Sequence, residues 1–216
     1  MISFLVTNFY SLNIKNMTTN KELMAQARQA LSGKWGLAVG ASLVYFIIAA
    51  GSQSIPFLGL ILGGPLAVGM ATFALKIARD EEARFENIFA GFSDFVRTMV
   101  AYLMMILFII IGFILLIIPG IIWALGYSQT FFILSEDKNI SASDALKKSK
   151  AMMEGHKWKL FGLQCRFIGW AILCIFTLFI GFLWLIPYMY VSYAKFYDDI
   201  KGDHFDYDNF DINEEI

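Results

Sequence analysis

The fold is decided by residues 98–135, TMVAYLMMILFIIIGFILLIIPGIIWALGYSQTFFILS, thirty-eight residues without a charged side chain. A bilayer core about 30 Å thick is crossed by roughly 20 helical residues, so this stretch is long enough for two crossings. Near its middle stand Pro119 and Gly120, a pair of residues that breaks helices and turns the chain. The stretch therefore predicts a hairpin of two transmembrane helices, and the rest of the chain resembles variations on this hairpin.

The overall composition is typical of a protein whose solvent is lipid. Of 216 residues, 58% are hydrophobic and 16% are charged, whereas a soluble domain of this size carries about 25% charged residues. The net charge of −1 argues against nucleic acid as a partner.

Two further apolar runs predict four more crossings. Residues 35–75 carry no charge, and Pro56 divides them into crossings at about 36–51 and 57–78. Residues 160–197 allow two crossings with a turn at Pro187, provided that Arg166 and Lys195 extend to the near membrane interface. A single long tilted helix is the alternative for this last run.

Three segments between the apolar runs have the pattern of amphipathic helices lying on the membrane surface. The first begins at Thr19, which forms a capping-box pattern with Glu22, and the third begins at Ser141, which does so with Asp144. The second follows from apolar residues recurring at intervals of three and four: Phe85, Ile88, Phe89, Phe92 and Val96.

The distribution of lysine and arginine predicts the orientation. The three proline-bearing turns contain none of the seventeen, so all charged segments are expected on the cytoplasmic side. The predicted fold is thus all-α and polytopic, with six transmembrane helices as three hairpins and amphipathic cytoplasmic surface helices. We expect a bacterial cytoplasmic membrane protein with both termini inside, and hairpin turns at Pro56, Pro119, Gly120 and Pro187.

The membrane domain is predicted to cover residues 19–200. Residues 1–18 form an N-terminal extension without the features of a signal peptide, and Met17 is the expected translation start. Residues 201–216 are rich in acids and are predicted to be a disordered tail, with docking on the basic segment around residues 147–159 as an alternative.

No arrangement of residues points to catalysis. The apolar runs hold no ionisable side chain deep within them, and both histidines, His156 and His204, lie in the predicted cytoplasmic segments. We therefore expect no catalytic residues, no metal site, no cofactor and no enzymatic activity.

Two sets of polar residues are candidates for binding. The first, in the predicted fourth helix, would line a polar path or contact a lipid, or would only hydrogen-bond to neighbouring helices: Tyr127, Ser128, Gln129 and Thr130. The second would contact anionic lipid head groups, or would only orient the protein: Lys147, Lys148, Lys150, His156, Lys157 and Lys159.

Several short motifs resemble a large family of uncharacterised bacterial integral membrane proteins, classed as a domain of unknown function. They are IPGII at residues 118–122, SASDAL at 141–146, MMEGHK at 152–157, IPY at 186–188 and GKWG at 33–36. The resemblance covers about residues 21–200. This region is also similar, at a distance, to the membrane domain found beside some glycerophosphodiester phosphodiesterases. Since no catalytic domain of that kind is present, the resemblance implies membrane class and no activity.

The expected function is that of a non-enzymatic accessory or scaffold component. Its partners would be membrane lipids, anionic ones among them, and a membrane-protein partner or a second copy of itself. The alternative is a small transporter, channel or export component whose polar path runs near Tyr127, Ser128, Gln129 and Thr130.

Overall fold

The computed structural model describes residues 18–55, 57–177 and 179–211, and within these residues the regular structure is entirely helical. A 3-10 helix at Phe85–Asp94 joins the third and fourth α-helices. The α-helices are, in chain order, α1 (Asn20–Ala30), α2 (Trp35–Gln53), α3 (Leu58–Ala78), α4 (Phe95–Leu115), α5 (Ile117–Gly126), α6 (Thr130–Glu136), α7 (Ala142–Met152), α8 (Lys157–Phe176) and α9 (Phe182–Asp211).

Helix α3 is the centre of the packing. It contacts α2, α4, α6, α9 and the 3-10 helix, and most of its residues beyond Gly63 are buried. Small residues such as Ala71, Ala74 and Ala78 allow this many neighbours, because they let helix backbones approach closely.

Three glycines set the closest contacts of α3. A Cβ atom on Gly69 would lie 1.7 Å from the carbonyl oxygen of Ile88 in the 3-10 helix, and one on Gly64 would lie 2.2 Å from that of Thr98. In the opposite direction, a Cβ atom on Gly91 would lie 2.1 Å from the carbonyl oxygen of Pro65. Since each obstacle is backbone, only glycine permits these approaches.

The first and third predicted amphipathic helices are present as α1 and α7. Thr19 and Glu22 form both hydrogen bonds of the capping box, and the Ser141 hydroxyl accepts from the N–H of Asp144. Their apolar faces are covered by the protein itself. Leu23 in α1 and Leu31 at its end are buried, as are Leu146 and Met152 in α7. These faces are therefore not available to insert into lipid.

The second predicted amphipathic helix is also helical in the structure, but as a 3-10 helix rather than an α-helix. Ile88 is fully buried, whereas Phe85 and Phe89 are more than two-fifths exposed. The tight approach to α3 through Gly69 and Gly91 accounts for the difference, since the segment follows a neighbouring backbone rather than a free surface.

The predicted turn at Pro119 and Gly120 was also wrong in position. Both residues lie inside α5, and the break comes earlier, at Leu116, whose backbone is extended (φ −169°, ψ 155°). Proline is tolerated in the first turn of a helix because the N–H that it lacks has no partner there. Gly120 instead brings α4 and α5 together: its Cα lies 3.0 Å from where a Cβ on Gly112 would be.

Pro187 likewise lies inside a helix, α9, and the preceding turn is formed around residue 179 instead. Phe179 adopts a left-handed backbone (φ 67°), as does Phe57 (φ 65°) at the end of the α2–α3 turn. Pro56, the other predicted turn residue, lies outside the described residues. The run 160–197 therefore forms two helices, and the single tilted helix is excluded.

Within the described residues, five helical stretches are long and apolar enough to cross a membrane. They are Trp35–Ser52, Leu58–Ala78, Phe85–Leu115, Ile117–Glu136 and Lys157–Phe176. Helix α9 extends through residues 201–211 of the predicted acidic tail, and residues 212–216 lie outside the described residues.

Candidate functional site

A cavity of about 340 Å³ lies among α2, α3, α4, α6 and α9, and we refer to it as the tyrosine cavity. Small residues of α2 and α3 provide the space, and aromatic side chains form much of the wall. The lining residues are Tyr45, Ala49, Ser52, Gly59, Gly63, Leu66, Ala67, Ala71, Tyr102, Ser128, Phe131, Phe132, Tyr190 and Tyr193.

Six of these lining residues carry hydroxyl groups, and none carries a charge: Tyr45, Ser52, Tyr102, Ser128, Tyr190 and Tyr193. The hydroxyls of Tyr45 and Tyr190 lie 3.4 Å apart, and their rings meet edge to face with centroids 6.0 Å apart. The Ser52 and Ser128 hydroxyls each donate to a backbone carbonyl oxygen three residues earlier, at 2.7 Å. The tyrosine hydroxyls, which can both donate and accept, are therefore the main groups that the wall offers to a polar ligand.

The position of Tyr102 depends on Gly63. A Cβ atom at Gly63 would lie 2.5 Å from the Tyr102 ring, which also packs against Phe131 with ring centroids 6.1 Å apart. The glycine therefore gives the ring room to lie at the cavity wall. Gly63 thus serves the packing of α3 against α4 by accommodating a side chain.

The wall formed by Ser128 lies at a break between two helices. Helix α5 ends at Gly126 and α6 begins at Thr130, so the predicted fourth transmembrane helix is discontinuous. Breaks of this kind expose backbone groups that need other partners.

Ser149 of α7 provides such partners. Its hydroxyl donates to the Gly126 carbonyl oxygen at 2.8 Å and accepts from the Gln129 N–H at 3.1 Å. Ser149 is completely buried. The third amphipathic helix thus holds the broken ends of α5 and α6 in place through one side chain.

Replacing Ser149 with alanine is expected to lower the free energy of unfolding by about 1–3 kcal/mol, the usual cost of leaving a buried polar group unpaired. Ser143→Ala in the same helix is the matched control, because that hydroxyl faces only Ser141, at 3.1 Å. Thermal unfolding of both variants in detergent measures the difference. Equal melting temperatures for the two variants would contradict the bridging role of Ser149.

Of the four residues predicted to line a polar path, only one lines the tyrosine cavity. Ser128 lines the tyrosine cavity, whereas Tyr127 stacks on Phe108 with ring centroids 5.7 Å apart. Gln129 and Thr130 are buried, and the Gln129 side-chain oxygen has no hydrogen-bond partner among the described residues. Sequence reasoning thus identified one wall residue and missed the tyrosines, which come from distant parts of the chain.

The six residues predicted to contact head groups do not form one uniform surface. Lys159 is largely buried and pairs with Asp199, their atoms 2.5 Å apart, while Lys147 makes an exposed pair with Asp144 at 3.2 Å. Lys148 and Lys150 are exposed on α7, and His156 and Lys157 begin α8.

A network of charges joins three helices at one end of the fold. The Arg79 guanidinium pairs with Asp198 and with Glu136, each at 2.5 Å. Glu136 also accepts hydrogen bonds from Tyr197 at 2.5 Å and from Lys201 at 2.7 Å. The hydrogen bond to Asp198 raises the pKa of Arg79, so this residue stays charged.

No group of three or more His, Cys, Asp or Glu side chains in the described part of the chain is arranged to hold a metal ion. The charged network connects helices and is not a binding site, because its cations and carboxylates are already paired with one another. The tyrosine cavity is the candidate site.

The helical fold, with its membrane-length apolar stretches around a hydroxyl-lined cavity, indicates the class of helical membrane proteins. The model of a family described as protein of unknown function (DUF975) matches residues 17–122 and 103–204, and the chain belongs to this family. Comparisons with curated proteins and with solved structures gave no match. Membership of an uncharacterised family is thus confirmed, and the distant similarity to the membrane domain of glycerophosphodiester phosphodiesterases is not shown.

Proposed function

We propose that this chain is a non-enzymatic component of a transport or export system that binds a small uncharged polar solute in the tyrosine cavity. One observation carries the proposal: the cavity has six hydroxyl-bearing lining residues and no charged one. An ion in such a place would lose its hydration without gaining a counter-charge, which is costly. A neutral solute with hydroxyl or carbonyl groups would exchange water for the tyrosine hydroxyls.

The proposed setting is the bacterial cytoplasmic membrane, with six spans and both termini inside. Five of these spans would be the helical stretches of membrane length, and residues 182–197 of helix α9 would supply the sixth. The discontinuous α5–α6 pair supports this proposal, because broken helices at membrane depth occur where they line a cavity or a binding site.

Small-molecule profiling of the full-length protein, extracted from native membranes into nanodiscs, tests the proposal. We expect a neutral polar compound to co-purify with the wild-type protein and to be lost from Ala71→Phe, which fills the cavity. Recovery of only charged compounds, or equal recovery from Ala71→Phe, would overturn the proposal.

Removal of one hydroxyl group gives a finer test. Tyr102→Phe is expected to reduce binding of the co-purified compound about 2–10-fold, since a hydrogen bond contributes about 0.5–1.5 kcal/mol. Tyr127→Phe is the matched control, because this tyrosine stacks on Phe108 and does not line the cavity. Equal losses for the two variants would speak against binding in the cavity.

A second candidate is the accessory or scaffold role, with a membrane-protein partner or a second copy as the bound species. The exposed side chains of Lys147, Lys148 and Lys150 on α7 favour it. Amine-reactive crosslinking in native membranes tests this role: a stoichiometric product that Lys147→Gln, Lys148→Gln and Lys150→Gln abolish would support it, and its absence would reject it.

A further inference from the structure

A second concave region, separate from the tyrosine cavity, lies where α1, α8 and α9 meet. Its wider part has a volume of about 750 Å³, and three of its lining residues are cations while none is an acid. It is lined by Lys21, Met24, Ala25, Arg28, Gln29, Ser32, Arg166 and Tyr188. We call this region the Arg28 groove.

The three cations of the Arg28 groove lie together and differ from the paired cations that join helices elsewhere in the fold. Lys34, Arg79 and Lys159 each form an ion pair with an aspartate. Lys21, Arg28 and Arg166 are exposed, and within the described ranges no carboxylate forms an ion pair with them. The groove therefore carries positive charge that the described part of the protein does not neutralise.

The Arg28 groove continues into a narrower apolar slot of about 350 Å³. Arg28 and Tyr188 line both regions, so the charged part and the apolar part share a boundary. Three indole side chains line the slot together with leucines and small residues: Trp35, Trp170, Leu173, Cys174, Thr177, Gly181, Trp184 and Leu185.

Tyr188 fixes the boundary between the two parts. Its hydroxyl donates to the Met24 carbonyl oxygen at 3.1 Å, and its ring packs edge to face against Phe167 with centroids 5.5 Å apart. The Arg28 guanidinium lies over the same ring, 5.9 Å from its centroid. Arg28 is thus held at the mouth of the apolar slot by a cation–π contact.

We propose that the Arg28 groove binds one anionic phospholipid, with its phosphate near Lys21, Arg28 and Arg166 and an acyl chain in the tryptophan-lined slot. Charge complementarity selects an anionic head group, since each basic residue near a membrane surface contributes about 1 kcal/mol, or about five-fold in affinity. A free phosphate ion would leave the apolar slot unused, so the lipid is the occupant that fits both parts. This site is independent of the tyrosine cavity and of the solute proposed to bind there.

The tryptophans of the slot supply the test. Full-length protein is reconstituted in nanodiscs of phosphatidylcholine, and phosphatidylglycerol with brominated acyl chains is titrated in while indole fluorescence is recorded. Because bromine quenches indoles only at short range, a bound chain in the slot is expected to quench Trp35, Trp170 and Trp184. Brominated phosphatidylcholine is expected to quench less at equal concentration.

The paired variants are Arg28→Gln with Arg166→Gln, which removes two charges, and Arg28→Lys with Arg166→Lys, which keeps them. We expect the first pair to weaken phosphatidylglycerol binding about thirty-fold and the second to retain most of it. Arg84→Gln with Lys138→Gln removes two exposed charges outside the groove and is expected to leave the quenching curve unchanged.

Three results would overturn the proposal. They are equal quenching by the two brominated lipids, unchanged binding in Arg28→Gln with Arg166→Gln, and a loss of binding in Arg84→Gln with Lys138→Gln as large as in the groove variant. Inorganic phosphate added in excess is expected to leave the quenching intact. Loss of the quenching would be a fourth contradicting result, because it would indicate an anion site rather than a lipid site. Melting temperatures of the glutamine and lysine variants show whether a loss of binding reflects unfolding.

Discussion

Substitution of Gly69 by alanine is expected to destabilise the protein by about 3 kcal/mol or more, the upper part of the range for overpacked cores. The new Cβ atom would lie 1.7 Å from the Ile88 carbonyl oxygen, and backbone cannot move aside as a flexible side chain can. The 3-10 helix would have to leave α3, which it contacts along much of its length.

The matched control for Gly69→Ala is Gly36→Ala in α2. A Cβ atom on Gly36 would meet no other atom within 4 Å, and alanine favours helix by about 1 kcal/mol over glycine. Fluorescence-detected gel filtration and thermal unfolding in detergent compare the two variants. Gly69→Ala is expected to give little folded protein, whereas Gly36→Ala should melt at or slightly above the wild-type temperature. A melting curve of Gly69→Ala that overlaps the wild-type curve would show that the 3-10 helix does not pack as described.

Removal of the Arg79 charge should also lower the free energy of unfolding. Arg79→Gln leaves Glu136 and Asp198, whose side chains are 19% and 28% exposed, without their shared partner. Carboxylates that are mostly shielded from water and lose a cation destabilise the folded state, here by about 1–3 kcal/mol after allowance for screening by solvent. The change should therefore lower the melting temperature by several degrees.

Arg84 provides the comparison for Arg79. It pairs with Glu82 at 2.7 Å, but both side chains are more than three-fifths exposed, and exposed pairs contribute little. Arg84→Gln is expected to leave the melting temperature unchanged. If both arginine variants melt alike, the three-helix network does not stabilise the fold beyond an ordinary surface pair.

Much of the helical plan follows from local sequence rules. Thr19, Glu22, Ser141 and Asp144 predicted two helix starts correctly, because capping depends only on residues three positions apart. The long uncharged runs predicted the membrane-length helices for a similar reason: hydropathy is a property of a continuous segment.

The turns were harder to predict, because proline occurs both in turns between helices and within the helices themselves. Pro119 and Pro187 were interpreted as turn residues, yet both lie within helices. Pro119 stands in the first turn, where a missing N–H costs little, whereas Pro187 is the sixth residue of α9. The true breaks, at Leu116 and around Phe179, carry no strong turn signal in their residue types.

The candidate site could not be derived from local patterns. Tyr45, Tyr102 and Tyr190 stand on three different helices, and their convergence depends on how α2, α4 and α9 pack around α3. Gly69 and Gly91 also appear ordinary in the sequence, since their importance comes from a neighbouring backbone. Ser128 was identified because polar residues are rare within an apolar run.

The network around Arg79 also bears on how the chain is synthesised. Arg79 and its partner Asp198 are separated by 119 positions, so the arginine leaves the ribosome well before the aspartate is made. During that interval α3 is already made, but its C-terminal end, which Arg79 caps, has no final anchor. Closure of the bundle is therefore a late event in translation, and a nascent chain arrested before residue 198 should stay accessible to membrane quality-control proteases.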